Sequence, residues 1–313
     1  MIHSICFDIG GTKTATGLIS SCGADIRLLN KVPTQPGLTS FPAFFSHEVK
    51  QVEAFSNKNN ITLSNTIMLS LPGNFETGNT IFFKEGSGLQ LLKRGEGYPS
   101  KSIDNWLFSE LDRDYKLFAI NDAKAQALGA LLQNKDMIKL HSMILYIGPG
   151  TGLGGAIIKV GESVNHTSFI TDGHIYDFLI DINGNHVMAE DILSGRGVFE
   201  HLNMDAKALN DQLNGQSSPH DYVTLMGDVC VGIVKAIKEG RVIKKFDTWL
   251  AHECEEVKTI NTVILGGSLG TKGMIGQSLR LRLEAIGVTV IQDQNPVLNA
   301  FNGLSAAIRK SDN

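Results

Sequence analysis

Apolar and polar residues alternate over Ser4–Asp8, over Thr14–Ile19 and over Ala24–Val32, with glycines at the joints. A period of two marks strands, so the opening predicts a three-stranded meander. A helix follows over about Ser40–Asn59, then a short apolar strand, Thr66–Leu71, that Pro72-Gly73 stops. Strand Leu117–Asn121 runs straight into an Ala/Leu-rich helix, Ala123–Leu132, which places Asn121 and Asp122 at the C-terminal end of a strand. Ligands of open α/β sheets gather at that edge.

The second half repeats the opening with strand Ser142–Ile147, a glycine turn over Gly148–Gly155 and strand Ala156–Val160. That repetition suggests an internal duplication. Helices are expected over much of Ala189–Trp249, with a break near Asn214–Pro219. The chain closes with strand Thr262–Leu265, Gly266-Gly267, helix Lys272–Ile286, strand Val288–Ile291 and a helix from Val297. Residues 84–102 are rich in glycine and charge and read as a surface loop.

At 313 residues the chain exceeds what one hydrophobic core usually serves, so two lobes with a ligand cleft between them are expected. The first would span 1–120, with a C-terminal helix at about 298–313 packing back on it, and the second 121–297. The net charge of −4 and the scattered basic residues give no footprint for nucleic acid or an anionic membrane. The start MIHSICFDIGG lacks the features of a signal peptide, and no apolar run approaches a membrane span, so a cytoplasmic location is expected. Cys6, Cys22, Cys230 and Cys254 show neither a CxxC pair nor metal-ligand spacing, which fits reduced thiols and no zinc.

Two motifs carry chemistry. In Asp8-Ile9-Gly10-Gly11-Thr12-Lys13-Thr14 a strand ends in a tight turn. The adjacent glycines would let backbone N–H groups approach phosphate oxygens, Thr12 adds a hydroxyl, and Asp8 suits Mg²⁺, directly or through water. The plain alternative is a hairpin turn. The second motif, Gly148-Pro149-Gly150-Thr151-Gly152-Leu153-Gly154-Gly155, contains GxGxxG. A dinucleotide site needs a helix after that loop, and AIIKV is a strand, so a second phosphate clamp is the better reading.

DIGGTKT, INDAKAQALGA, GPGTGLGG, AEDILSG and VILGGSLG together resemble, in order and spacing over nearly the whole chain, the bacterial glucokinases and related ROK sugar kinases. The resemblance implies the two-lobed actin-like ATPase fold, a duplicated ribonuclease H-like α/β architecture. It also implies ATP and Mg²⁺ as cofactors, transfer of the γ-phosphate to a hexose hydroxyl such as the 6-hydroxyl of glucose, and a homodimer. By position, Asp8, Gly10, Gly11, Thr12 and Lys13 would form the first phosphate loop, Gly150, Thr151 and Gly152 the second, and Gly266 and Gly267 would lie under the adenosine. Asn121 and Asp122 match the sugar-binding pair whose aspartate takes the hydroxyl proton, and His174 and Glu190 match sugar-hydroxyl partners. As a bare pattern, an aspartate opening a helix is also an N-cap.

Where glucokinases carry a glutamate three residues before the histidine, this chain has Thr171, so Thr171 is expected to alter sugar selectivity. The segment His174–Ala189 has no cysteine cluster of the kind with which many ROK proteins bind zinc. Two rivals differ in class. A ROK-type repressor would carry a DNA-reading segment ahead of the first loop, which begins here at Asp8. A catalytically weak sugar or nucleotide sensor would keep the binding residues and lose turnover.

Overall fold

The computed structural model describes all residues except 12, 35–39, 73, 77–79, 83–106, 112, 171–174, 215–219, 245–254, 272, 294–295 and 312–313. The loop at 84–102 therefore lies outside the described residues. The chain forms two compact units, residues 1–129 with 297–313 and residues 130–296. The expected boundary at 120 and 121 falls at a strand–helix junction ahead of that division.

The first unit is built on strands β1 (Ile2–Ile9), β2 (Lys13–Ser20), β3 (Ile26–Pro33) and helix α1 (Phe41–Lys58). Strand β4 (Thr62–Leu71), a short β5 and β6 hairpin (Asn74–Glu76 and Thr80–Phe82), strand β7 (Lys116–Asn121) and helix α2 (Asp122–Gln133) follow. Its sheet runs in the order β3-β2-β1-β4-β7. The meander is antiparallel, and β4 and β7 add in parallel on the other side of β1.

Period-two side-chain placement gives this sheet two buried faces. Ile5, Phe7, Ile9, Ile67, Leu69, Leu71 and Leu117 form one core with α1 residues Phe41, Phe44, Phe45, Val49 and Val52. Cys6, Ala15, Ile19 and Met68 form another with Phe301 and Leu304 of the C-terminal helix Pro296–Ser311. That helix lies close against α2. A Cβ on Gly129 would stand 2.0 Å from the Asn299 carbonyl oxygen, and one on Gly303 1.9 Å from that of Ala125. Glycine is required at both positions because backbone meets backbone there.

The second unit holds β8 (Met143–Pro149), β9 (Leu153–Val160), β10 (Thr167–Phe169), the hairpin β11 (Leu179–Ile182) and β12 (Asn185–Met188), and helices α3 (Ala189–Ile192), α4 (Gly195–Leu202), α5 (Ala206–Leu213) and α6 (Asp221–Lys238). Strand β13 (Thr262–Leu265), helices α7 (Gly267–Thr271) and α8 (Gly273–Glu284) and strand β14 (Thr289–Gln292) complete it. Its sheet order is β10-β9-β8-β13-β14. An antiparallel meander with two parallel additions repeats the polarity of the first sheet, so the duplication suggested by the two glycine turns is present in the topology.

Some elements differ from the sequence expectation. The glycine turn is shorter than Gly148–Gly155, because Gly154 and Gly155 already pair in β9 with Gly148 and Ile147. The helix expected over Lys272–Ile286 begins later, at Gly273, and follows a separate short α7. Gly273 has φ +64, a left-handed backbone that interrupts the helix. No helix among the described residues is long and apolar enough to cross a membrane.

Candidate active site

Asp8 ends β1 and stands in register with Ser70 of β4, and Ser70 in turn with Ile120 of β7. The C-terminal edge of three parallel strands thus carries Asp8, Ser70 and the Asn121-Asp122 pair. Asp8 and Ser70 also share a face of the sheet, so the Ser70 hydroxyl donates to Asp8 Oδ1 at 2.9 Å. Burial pushes the Asp8 carboxyl above its ordinary range, against the Ser70 hydroxyl and the charge of Lys31.

Asp8 fits a hard divalent cation. It is a desolvated carboxylate at a strand end, and Mg²⁺ typically takes one or two carboxylates, leaving its other positions to water and substrate phosphates. Among the described residues no group of three or more His, Cys, Asp or Glu side chains could hold a metal, and Cys254 lies outside them.

In the first loop, the Gly10 N–H donates to the Lys13 carbonyl at 2.9 Å, and the Gly10 carbonyl accepts from Thr34 Oγ1 at 2.7 Å. Gly10 therefore shapes the turn, while Gly11 is half-buried, Lys13 is exposed, and Thr12 lies outside the described residues.

At the β7–α2 junction, Asn121 Oδ1 accepts the Lys124 N–H at 3.1 Å. An acceptor three residues before the bonded amide is the N-cap pattern, so the cap is Asn121 and the N-cap role considered for Asp122 is corrected. The β7 ladder runs to Asn121, paired with Leu71, which leaves Asp122 as the first residue of α2. Asp122 is half-buried, and its Oδ1 accepts the Ala123 N–H at 2.9 Å. Asn121 is 4% exposed.

The second loop is fastened to the start of α4. The Gly150 N–H closes the turn onto the Gly152 carbonyl at 2.8 Å. The Gly195 N–H donates to the Gly150 carbonyl at 2.7 Å, and the Arg196 N–H to the Thr151 carbonyl at 3.3 Å. In a trans peptide the carbonyl and the next N–H point in opposite directions, so the Thr151 and Gly152 N–H groups turn away from α4 together. The carbonyls of Gly150 and Thr151 are committed to the start of α4, which fixes the loop. Beside it is a cavity of about 380 Å³ lined by Gly150, Thr151, Arg196, Phe199, Asp205 and Ser268, among others. Strand β9 follows the loop directly, consistent with setting the dinucleotide reading aside.

Glu190 opens α3 beside this loop. Its Oε1 accepts the Leu153 N–H at 3.2 Å and its Oε2 the Arg196 guanidinium at 2.9 Å. Burial raises the Glu190 carboxyl, and Arg196 leads the groups opposing that rise. A Cβ on Gly152 would stand 2.5 Å from Glu190 Oε1, so a larger residue there would displace that carboxylate.

Gly266 and Gly267 pack against β8. A Cβ on Gly266 would meet the Tyr146 hydroxyl at 2.1 Å, and Gly267, at φ +64, packs against the Pro149 carbonyl. Their neighbour Ser268 reaches the cavity wall. Thr171 and His174 lie outside the described residues. Sequence reasoning missed Ser70, Arg196, Phe199, Asp205 and Ser268. The usable signal was Ser194, which caps α4 through the Gly197 amide at 2.9 Å and so marks the helix that holds the loop.

No protein-family profile matches the chain. It is similar to an N-acetyl-D-glucosamine kinase of Escherichia coli, 28% identical over 257 residues that cover 74% of this chain and 79% of the relative. It is similar in structure to a ROK family glucokinase from Streptomyces griseus solved with glucose and AMPPNP, with a TM-score of 0.65, 17% identity and coverage of 98% and 99%. A ROK family protein from Streptococcus pneumoniae solved with sucrose gives a TM-score of 0.65 at 15% identity, covering 99% of both chains. The fold is that of the actin-like ATPases. Within that class, the resemblance to the ROK sugar kinases read from the five motifs holds in sequence and in fold.

Proposed function

We propose that this chain is an ATP-dependent sugar kinase of the ROK type, transferring the γ-phosphoryl group to a hexose hydroxyl with Asp122 as general base. The supporting observation is the division of roles at the β7–α2 junction, where Asn121 caps the helix and Asp122 stands beside it at the strand edge. Phosphoryl transfer depends on positioning and charge neutralisation more than on covalent chemistry. Asp122 accepts the proton of the attacking hydroxyl, a contribution of about 10²–10⁴-fold for a well-placed base. Asn121 and Glu190 orient the sugar, with His174 assigned the same role by the resemblance alone. The Thr151 and Gly152 N–H groups receive phosphate oxygens, and the cavity lined by Phe199 and Ser268 takes the nucleoside. Asp8 holds Mg²⁺, which when bound neutralises phosphate charge.

The curated relatives make N-acetyl-D-glucosamine the first acceptor to test, ahead of the glucose that the motifs alone suggest. A coupled ADP-release assay with Mg-ATP against N-acetylglucosamine, N-acetylmannosamine, glucose, mannose and fructose decides the reading. Turnover on at least one is expected. Turnover on none favours the sensor alternative, which is motivated by Thr171 standing where glucokinases have a glutamate. A cytoplasmic homodimer is part of the same proposal, and size-exclusion chromatography with light scattering tests the dimer.

A further inference from the structure

Arg196 faces two ligand sites at once. Its guanidinium donates to Glu190 Oε2 at 2.9 Å, its backbone N–H holds the Thr151 carbonyl, and its side chain lines the cavity with Gly150 and Thr151. Among the described residues its other ion-pair partner, Glu200 at 3.9 Å, is exposed, so solvent screens that contact and Glu190 is the partner of consequence. Glu190 is held from both sides, with Oε1 on the Leu153 amide of the glycine loop and Oε2 on Arg196. A sugar hydroxyl seeking Glu190 Oε2 must therefore compete with an ion pair whose carboxylate is only 16% exposed.

Resting on the sugar-kinase reading above, we propose that Arg196 is a positioning residue that couples the nucleotide cavity to the sugar-binding glutamate. The polyphosphate of a nucleotide whose nucleoside fills the cavity, lying beside Thr151, draws the guanidinium to itself and releases Glu190 Oε2 to accept from the sugar. Guanidinium forks match phosphate oxygens, and charge-assisted bonds to phosphate are among the stronger polar contacts. A ligand shifts such an equilibrium only by its differential affinity for the two arrangements, and a polyphosphate beside a cation supplies that difference. The coupling is reciprocal, so sugar must tighten nucleotide binding by the same factor.

The test is calorimetric titration of the best sugar of the panel, with and without Mg-AMPPNP, for wild type, Arg196→Gln and Arg196→Lys, with thermal midpoints confirming that each variant folds. Wild type should bind the sugar about fivefold or more tightly when the analogue is present, the lower end of usual coupling factors. Arg196→Gln should bind the sugar without nucleotide at least as tightly as wild type, and the analogue should change that affinity less than about twofold. Arg196→Lys, which keeps the charge and loses the fork, should fall between, and it serves as the decisive variant if Arg196→Gln does not fold. A purely structural role would weaken sugar binding in both conditions and leave their ratio unchanged. A wild-type ratio in the folded variants overturns the coupling role. Turnover without any wild-type coupling overturns it too and leaves the kinase reading standing. Absence of both turnover and sugar binding removes the reading and this inference together.

Discussion

Asn121 Oδ1 accepts the Lys124 amide at 3.1 Å as the cap of α2, and the residue after it, Asp122, is the first of the helix and accepts its neighbour's Ala123 amide at 2.9 Å. Asparagine and aspartate cap helices about equally well, so the two neighbours are distinguished only by where strand β7 stops. On the proposed reading, the cap and the base are adjacent residues whose losses should be told apart by experiment.

Asp122→Asn should therefore keep the fold and lose turnover. We expect kcat to fall on the order of 10²-fold or more, equivalent to at least ~2.7 kcal/mol of transition-state stabilisation. Loss of the charge from the first turn of α2 should cost only about 0.3–1 kcal/mol of stability. Thermal midpoint and kcat measured on one preparation separate these effects, and a kcat within a few-fold of wild type would exclude Asp122 as the base.

Asn121→Ala should do the reverse in stability. The cap is lost at a cost of about 1 kcal/mol, which urea denaturation would register as a lower midpoint at unchanged slope. If the midpoint is unchanged, Asn121 is not the cap.

Gly129→Ala should destabilise far more than a helix-interior alanine normally would, since the added methyl group would lie 2.0 Å from the Asn299 carbonyl oxygen. Alanine otherwise favours helices by about 1 kcal/mol over glycine, so the sign of the effect reports the crossing. We expect a loss of roughly 1–3 kcal/mol from overpacking, together with reduced kcat as α2 shifts. A variant more stable than wild type would show that the two helices separate there.

Glu48 predicts a pH dependence unconnected with activity. It is 5% exposed on α1, its Oε2 has no hydrogen-bond partner among the described residues, and burial raises its carboxyl against the opposing charge of His47. A raised carboxyl binds more protons in the folded than in the unfolded state, so its contribution to stability falls as pH rises above the ordinary carboxylate range. Glu48→Met should therefore raise the thermal midpoint at pH 7, and the gain should narrow as pH falls to about 4, where the unfolded-state carboxyl also protonates. An equal gain at both pH values would exclude ionisation as its source.

Strands buried on both faces were legible because alternation survives there as different apolar neighbours: Phe7 meets α1, while Cys6 lies in the core with Phe301. The hairpin of β11 and β12 escaped because its strands are too short for a periodicity, although Asn183 at φ 54 and Gly184 at φ +84 form the tight turn that an Asn-Gly pair announces. The two glycine turns were located from sequence because clustered glycines between two strands mark a tight reversal, and both reversals join antiparallel partners. Arg196 was not, since an arginine near a helix start is commonplace until α4 folds back and sets it beside Glu190. Ser70 was hidden in the same way, as only the parallel register of β1 and β4 brings it to Asp8.

The crossing of α2 with the C-terminal helix also sets an order of assembly. Ala125 and Gly129 await Asn299 and Gly303, and all of residues 130–296 are synthesised in between. At roughly 5–20 residues per second that interval is on the order of ten seconds. During it the second unit has its whole sheet available to fold, whereas the helix that opens with Asp122 still lacks its backing. The nascent chain thus completes its glycine-loop cavity first and secures the start of α2 last, so arrest of translation before residue 297 would leave the cavity built and Asp122 without the helix that braces it.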